Sequence, residues 1–246
     1  MVKRLPPKEL ARLAMVASLV VAVIAGGWAL GLWVADPNTL PVQVVRMEGN
    51  FTHLTTAALE EAVTPHVRGG FFSVDVEAIK RAAQALPWVD RVSVRRIWPS
   101  TLRIRVEEHQ PLAHWGGNEL INVRGERFRP DPKTVPAGLP RFDGAEGLEG
   151  LMAERYRVMA EELRPLGLEI AALAVDARRS WRMGLSNGAV VLLGREAADR
   201  RLERFVQFYP GALAARAGEI RRVDMRYPNG FAVDWKQAAE AEVQRG

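Results

Sequence analysis

The sequence has 246 residues, of which 48% are hydrophobic and 26% charged, which excludes disorder throughout and suffices for one ordinary domain or two small ones. It has no Cys and four His (His53, His66, His109, His114), so a disulfide framework, a Cys-based zinc site and a thiol nucleophile are excluded. The formal charge of +5 would suit a nucleic-acid partner, and the placement of that charge decides the matter.

Residues 13–35 contain no Asp, Glu, Lys, Arg or His. As a helix at ~1.5 Å per residue the run spans about 34 Å, enough to cross a hydrocarbon core of ~30 Å with some tilt. Lys3, Arg4, Lys8 and Arg12 precede it against Glu9 alone, whereas Asp36 and Pro37 follow it. The positive-inside rule therefore leaves residues 1–12 as a cytoplasmic tail and exports everything after Ala35. Arg12, Trp28 and Trp33 are expected at the membrane interfaces. A cleaved signal peptide has a shorter apolar region, of about 7–15 residues, and a small residue at −3. A cut after Ala35 would put Trp33 there, so a retained anchor is expected. Once the tail cations are set aside the exported part is almost neutral, and no nucleic-acid partner is expected.

Residues 36–41 read as a connector. The first folded unit then runs over residues 42–110. A β-prone run from Val42 ends at Gly49-Asn50, and residues 54–63 have the composition of a short helix. Ser73 and Asp75 can cap a second helix whose Val76, Ile79, Ala83 and Leu86 share one face, with Pro87 as its stop. Two strands follow, one alternating through Val92 and Val94, the other through Leu102, Ile104 and Val106, with Trp98-Pro99-Ser100 as their turn. This β-α-α-β-β order predicts a small two-layer α+β module.

The second unit is expected over residues 111–235. Residues 112–115 and 120–123 flank a hairpin turn at Gly116-Gly117-Asn118. Residues 130–150, rich in Pro and Gly, read as a long ordered loop, and residues 151–163 as a helix. Strands are predicted over 168–176, 179–185 and 189–193, the last two joined at Asn187-Gly188. A helix over 196–209 turns Leu202, Phe205 and Val206 inward and is expected to stop at Pro210-Gly211. Closing strands over 220–227 and 231–235 flank Pro228-Asn229-Gly230, and residues 236–246 read as a flexible tail. Alternation predicts that Val223, Met225 and Tyr227 share one face, and that Phe231, Val233 and Trp235 do the same in the last strand. Gly230 is expected to supply a positive φ to the turn, so that Gly230→Val would strain it.

No hydrolase elbow, zincin motif, phosphate loop or dinucleotide fingerprint is present. His109 and His114 lack a carboxylate or Cys at ligand spacing. Glu107 and Glu108 point to opposite faces of a strand and cannot line one site. Arg95-Arg96 and Arg221-Arg222 read as solvated strand faces. No enzymatic activity, cofactor or metal is expected. The feature left over is the last strand: followed by a polar tail, it is predicted to be a sheet edge whose open backbone could accept a strand from another chain.

Residues 86–104, Leu-Pro-Trp-Val-Asp-Arg-Val-Ser-Val-Arg-Arg-Ile-Trp-Pro-Ser-Thr-Leu-Arg-Ile, continuing to Glu107 and Pro111-Leu112-Ala113-His114-Trp115, closely resemble the FtsQ/DivIB family of bacterial division proteins. Leu193-Gly194-Arg195, Arg204-Phe205-Val206 and residues 223–233 resemble that family's later landmarks, in order. The resemblance implies a POTRA-type domain over 42–110, a mixed α/β "β-domain" over 111–235 with a terminal edge strand, and no catalysis. It implies a scaffold of the division machinery in the inner membrane, N-terminus cytoplasmic and folded domains periplasmic, enriched at the septum. Implied partners are the periplasmic parts of FtsB and FtsL, with FtsK, FtsW and FtsI as further candidates. The site residues it implies are Tyr227, Asn229, Gly230 and the strand Phe231, Ala232, Val233, Asp234, Trp235, with Arg178 as the cation for a partner carboxylate. Asp234 departs from the family pattern, in which that position is associated with Gly or a basic residue. A POTRA-bearing component of protein translocation or outer-membrane assembly is the alternative, and a membrane-anchored periplasmic hydrolase is the third.

Overall fold

In the computed structural model, which describes residues 7–36 and 39–236, the apolar run forms helix α1 (Pro7–Ala35). The helix starts six residues before the uncharged run, so residues 7–12 of the expected tail are its first turns and Arg12 stands on it. Polar residues such as Lys8 and Glu9 are good helix formers, and Pro at a first position costs no hydrogen bond. Residues 11–33 form an apolar stretch of mean hydropathy 2.3 with no part buried by the polypeptide. Trp28 and Trp33 are 73% and 59% exposed, and the helix fits a transmembrane span. Residues 1–6 of the expected tail, Pro37 and Asn38 of the connector and residues 237–246 lie outside the described residues.

The folded part divides between Glu108 and His109. The first unit has the predicted element order: β1 (Val44–Glu48), α2 (Thr56–Val63), α3 (Val76–Gln84), β2 (Val89–Ile97) and β3 (Thr101–Glu108). β3 lies in the middle of the sheet, parallel to β1 and antiparallel to β2. Thr55 caps α2 through Ala58 N–H, and Asp75 caps α3 through the N–H groups of Glu77 and Ala78. Ile79 and Ala83 of α3, Leu59 and Val63 of α2, and Leu102, Ile104 and Val106 of β3 form its core. α3 ends at Gln84, ahead of Pro87, because Ala85 and Leu86 close the last turn with backbone bonds to Arg81 and Ala83. The residues that make the sequence distinctive here have packing roles. Trp88 stacks on His53 with ring centres 4.0 Å apart. The Glu108 carboxylate accepts from the N–H groups of Thr52, His53 and Leu54 at 3.1, 3.1 and 2.8 Å. Arg96 donates to the Val74 carbonyl at 2.7 Å, so it is not a merely solvated strand residue.

The second unit is a nine-stranded mixed sheet: β4 (Pro111–Trp115), β5 (Glu119–Asn122), β6 (Arg127–Phe128), β7 (Arg141–Asp143), β8 (Ile170–Val175), β9 (Trp181–Leu185), β10 (Val190–Gly194), β11 (Ile220–Asp224) and β12 (Ala232–Trp235). The order across it is β12-β11-β10-β9-β8-β7-β4-β5-β6. Helices α4 (Glu149–Leu163) and α5 (Ala198–Phe208) pack on one face, where Met152, Met159 and Leu163 meet Leu173 and Met183, and Leu202 and Phe205 meet Val191 and Leu193. The predicted long loop is not all loop. Its residues 141–143 are β7, parallel to both β4 and β8 in the middle of the sheet. With three residues and only Phe142 buried, it has no periodicity to detect. The α-helix ends as expected ahead of Pro210-Gly211, at Phe208 with Tyr209 as its C-cap, but the chain stays coiled beyond it, through a π-turn, Tyr209–Leu213, and a 3₁₀ segment, Ala214–Glu219. Proline near the start of a new helical turn gives up an N–H that needs no partner. Buried Tyr209 and Leu213 hold that turn to the core.

Candidate partner-binding edge

β11 and β12 are antiparallel, with Arg222 opposite Asp234, Val223 opposite Val233 and Asp224 opposite Ala232. Among the described residues β12 has β11 as its one neighbour. Alternate residues of β12 therefore direct their N–H and C=O groups outward along an open edge.

The underside of the strand is fastened to the domain. Phe231, Val233 and Trp235 pack on the core, as the alternation predicts. Phe231 lies against Phe208, with centroids 5.8 Å apart, and the Arg216 guanidinium lies 4.3 Å over the Trp235 ring. Lys236 donates its N–H to the Glu219 carbonyl at 2.6 Å and its Nζ to the Gly218 carbonyl at 2.8 Å. On the opposite face, Ala232 is exposed and Asp234 is bonded to Arg221 at 2.6 Å, with Arg222 at 3.7 Å. Arg221 and Arg222 thus neutralise the strand's acid instead of facing water alone.

The loop before β12 departs from the expectation in two ways. β11 ends at Asp224, so Tyr227 does not continue the buried face of Val223 and Met225. Those two are 1% exposed and Tyr227 is 54% exposed. Gly230 is not among the residues of positive φ, and a Cβ placed on it would meet open space. No left-handed residue shapes this loop; side chains from α5 hold it. Arg204 donates to the carbonyls of Pro228, Met225 and Tyr227 at 2.6, 2.8 and 3.0 Å. One helical step earlier, Arg201 donates to Leu193 at 2.7 Å and to Arg226 at 3.5 Å. Neither arginine was singled out from the sequence, although Arg204 stands in one of the recognisable landmarks. The landmark Gly194 has φ +75, and a Cβ there would lie 2.7 Å from Arg201 Nη1 and 3.0 Å from Arg226 Cγ. Arg226 in turn grips Asp224 through Nε and Nη2, at 2.9 and 2.6 Å. That contact holds the Asp224 carboxyl below the usual carboxylate range.

Strand register places Arg178 at the same end of the sheet as this loop, with β10 and β11 between β9 and β12. The turn over residues 176–180 joins β8 to β9, Trp181 lies opposite Gly194, Leu192 opposite Asp224, and Asp224 opposite Ala232. The turn, the end of β10 and the 225–231 loop thus share one end of the sheet. A cleft of about 150 Å³ at that end is lined by Asp176, Ser180, Trp181, Arg182 and Arg226, among others. Asp176 shapes the turn by accepting from the N–H groups of Arg178 and Ser180, at 2.9 and 2.8 Å. Arg178 is exposed and its guanidinium makes no ion pair among the described residues. Asn229 is exposed beside Tyr227, and the loop from Tyr227 to Ala232 lines a shallow concavity of its own. The end thus offers a cation, an aromatic side chain and an open strand.

Comparison with known proteins bears on both units. Residues 113–226 match the family model "Cell division protein FtsQ/DivIB, C-terminal", and residues 40–109 match "POTRA domain, FtsQ-type". The chain is 38% identical over 235 residues to the cell division protein FtsQ of Coxiella burnetii, covering 96% of this chain and 93% of that protein. It is 33% identical over 232 residues to FtsQ of Allochromatium vinosum, with 94% and 92% coverage, and 37% identical over 226 residues to FtsQ of Shewanella oneidensis, with 92% and 86% coverage.

Proposed function

Because the chain belongs to the FtsQ/DivIB family of cell division proteins, we propose that it is a non-enzymatic, single-pass scaffold of the division machinery that captures FtsB, together with FtsL, by strand addition to β12. In this reading the N-terminus is cytoplasmic, the two folded units are periplasmic, and the protein gathers at the septum in contact with wall-synthesis partners such as FtsW and FtsI, and with FtsK.

The observation that carries the reading is the arrangement at one end of the second unit. A strand with one neighbour among the described residues is fastened by its underside, exposed Tyr227 stands in the loop that leads into it, and Arg178, which makes no ion pair among the described residues, is exposed at the same end of the sheet in the β8–β9 turn. Backbone pairing supplies affinity in this mode, and adjacent side chains supply specificity. An edge already rigid in the free protein avoids ordering entropy on binding. The site residues proposed are Arg178, Tyr227, Asn229, Gly230 and residues 231–235. Asp234 does not oppose an acidic partner as a free charge, because Arg221 holds it.

The test is binding of the periplasmic segment of FtsB to the detergent-solubilised full chain, followed by calorimetry. Tyr227→Ala, which removes an exposed ring, should weaken binding about 30-fold, equivalent to roughly 2 kcal/mol for an aromatic hot spot. Truncation before Phe231 should abolish binding. Unchanged affinity in Tyr227→Ala together with retained binding after truncation would refute strand addition.

A further inference from the structure

We propose that the end of the first unit's sheet where the chain arrives from α1 rests on the membrane surface, with Trp98 and Phe72 immersed among the lipid headgroups. The inference rests on α1 as a membrane span, and is independent of strand addition at β12.

Three backbone segments converge at that end. Pro41 forms a bridge with Gly70, and Phe71 N–H donates to the Leu40 carbonyl at 2.6 Å. The N–H groups of Gln43 and Val44 share the Ser100 carbonyl at 2.9 and 3.3 Å. Arg96, next to the β2–β3 turn, donates to Val74. The turn carrying Trp98, the loop carrying Phe72 and the arriving chain are therefore neighbours. Trp98 is 75% exposed and Phe72 49%, although both could be polar if water were their only surroundings. Exposed Arg68 and Arg95 flank them, and the nearby Asp75 carboxylate is occupied with capping α3.

Chain geometry names the occupant. α1 ends at Ala35 and Leu40 is already bonded to the folded unit. At most about 3.3–3.6 Å per residue, that anchoring point lies within about 17 Å of the helix end. A span over residues 11–33 puts the helix end at the hydrocarbon edge, and the headgroup layer extends some 5–8 Å beyond it. Trp is enriched in this layer, where its ring is half apolar and its N–H wet. Two rings would bind a membrane weakly if the domain were free. The short tether makes the encounter intramolecular, so weak insertion suffices to hold one orientation.

The absence of Cys permits single labels on the full chain in nanodiscs of phosphatidylethanolamine and phosphatidylglycerol. An environment-sensitive fluorophore is placed at Gln43→Cys, beside the two aromatics, or at Asn50→Cys, beyond the far end of β1. Quenching by headgroup spin-labelled lipid should be at least threefold stronger at 43 than at 50. It should fall to the level of position 50 when Trp98→Ser and Phe72→Ser are combined with the label at 43. Equal quenching at the two positions, or quenching at 43 that survives loss of both aromatics, overturns the proposal. So does a label at 43 that is shielded only when FtsB and FtsL are added, which would make this end a protein-docking surface. A chain that fails to stay with the nanodisc overturns the span itself, whatever the behaviour of β12.

Discussion

Replacing Arg204 by Met tests whether the loop beside β12 is pre-organised by α5. Met keeps most of the aliphatic stem and the helix propensity while removing three charge-assisted hydrogen bonds to the carbonyls of residues 225, 227 and 228. Two of the three carbonyls belong to exposed residues and can regain water, whereas that of Met225 belongs to a buried one. The net loss is therefore nearer one hydrogen bond to a charged group than three, about 1.5–3 kcal/mol. Most of it should appear as local opening of residues 225–231, because Leu202 and Phe205 still hold α5 to the core. Under the proposed strand addition, a binding-competent loop that falls to about a tenth of the population lowers apparent affinity for FtsB about tenfold. Hydrogen exchange should show lost protection confined to residues 225–231, calorimetry should show the weaker binding, and Tm should fall by about 3–8 °C. Normal FtsB affinity with exchange unchanged in the loop would refute the reasoning. Exchange raised uniformly across the sheet would show that Arg204 stabilises the whole domain, not the loop.

Other consequences are independent of this loop. Burial, followed by the nearby charges of Glu203 and Asp199, raises the Glu162 carboxyl above its ordinary value of 4.5. A raised carboxyl favours the fold while protonated, and that advantage is lost as pH rises through the folded-state value. Glu162→Gln should therefore raise Tm by about 1–3 °C at pH 7 and give no gain below about pH 4, as thermal unfolding at the two pH values would show. Gly194→Ala forces a left-handed backbone on a residue with a Cβ, at roughly 1–2 kcal/mol, and pushes on Arg201 and Arg226. Lower Tm and weaker FtsB binding are expected together. Glu108→Ala leaves three backbone N–H groups without their shared acceptor, and should cost the first unit about 2–4 kcal/mol in denaturant unfolding without altering the affinity of the second for FtsB.

The parts of this molecule that were legible in the sequence are those written in local periodicity. The alternation through Leu102, Ile104 and Val106, the spacing of Ile79 and Ala83, and the uncharged run before Asp36 each report one element's own buried or lipid-facing side. The Asn187-Gly188 turn was legible for a related reason: Gly188 takes φ +85 and Asn187 accepts from Ala189 N–H, all within four residues. β7 escaped because its strand character comes from two parallel neighbours, not from its three residues. The coiled turns beyond Pro210-Gly211 were not legible because buried Tyr209 and Leu213, not local preference, hold the chain there.

The same division explains what was hidden at the candidate edge. Asn229-Gly230 reads as a turn whose shape a left-handed glycine provides, yet neither residue has a positive φ. The shape comes instead from Arg204 and Arg201, more than twenty residues away in the chain. Their guanidinium groups meet main-chain carbonyls, which every residue has and no residue type advertises. On the proposed strand-accepting surface, specificity would lie in exposed side chains and geometry in such remote donors. Arg204 should then tolerate Lys poorly: a point charge cannot reach three divergent carbonyls as a planar fork does. Arg204→Lys, which keeps the charge, should bind FtsB closer to Arg204→Met than to the unaltered chain, and the reverse order would mean that charge alone, not the fork, holds the loop.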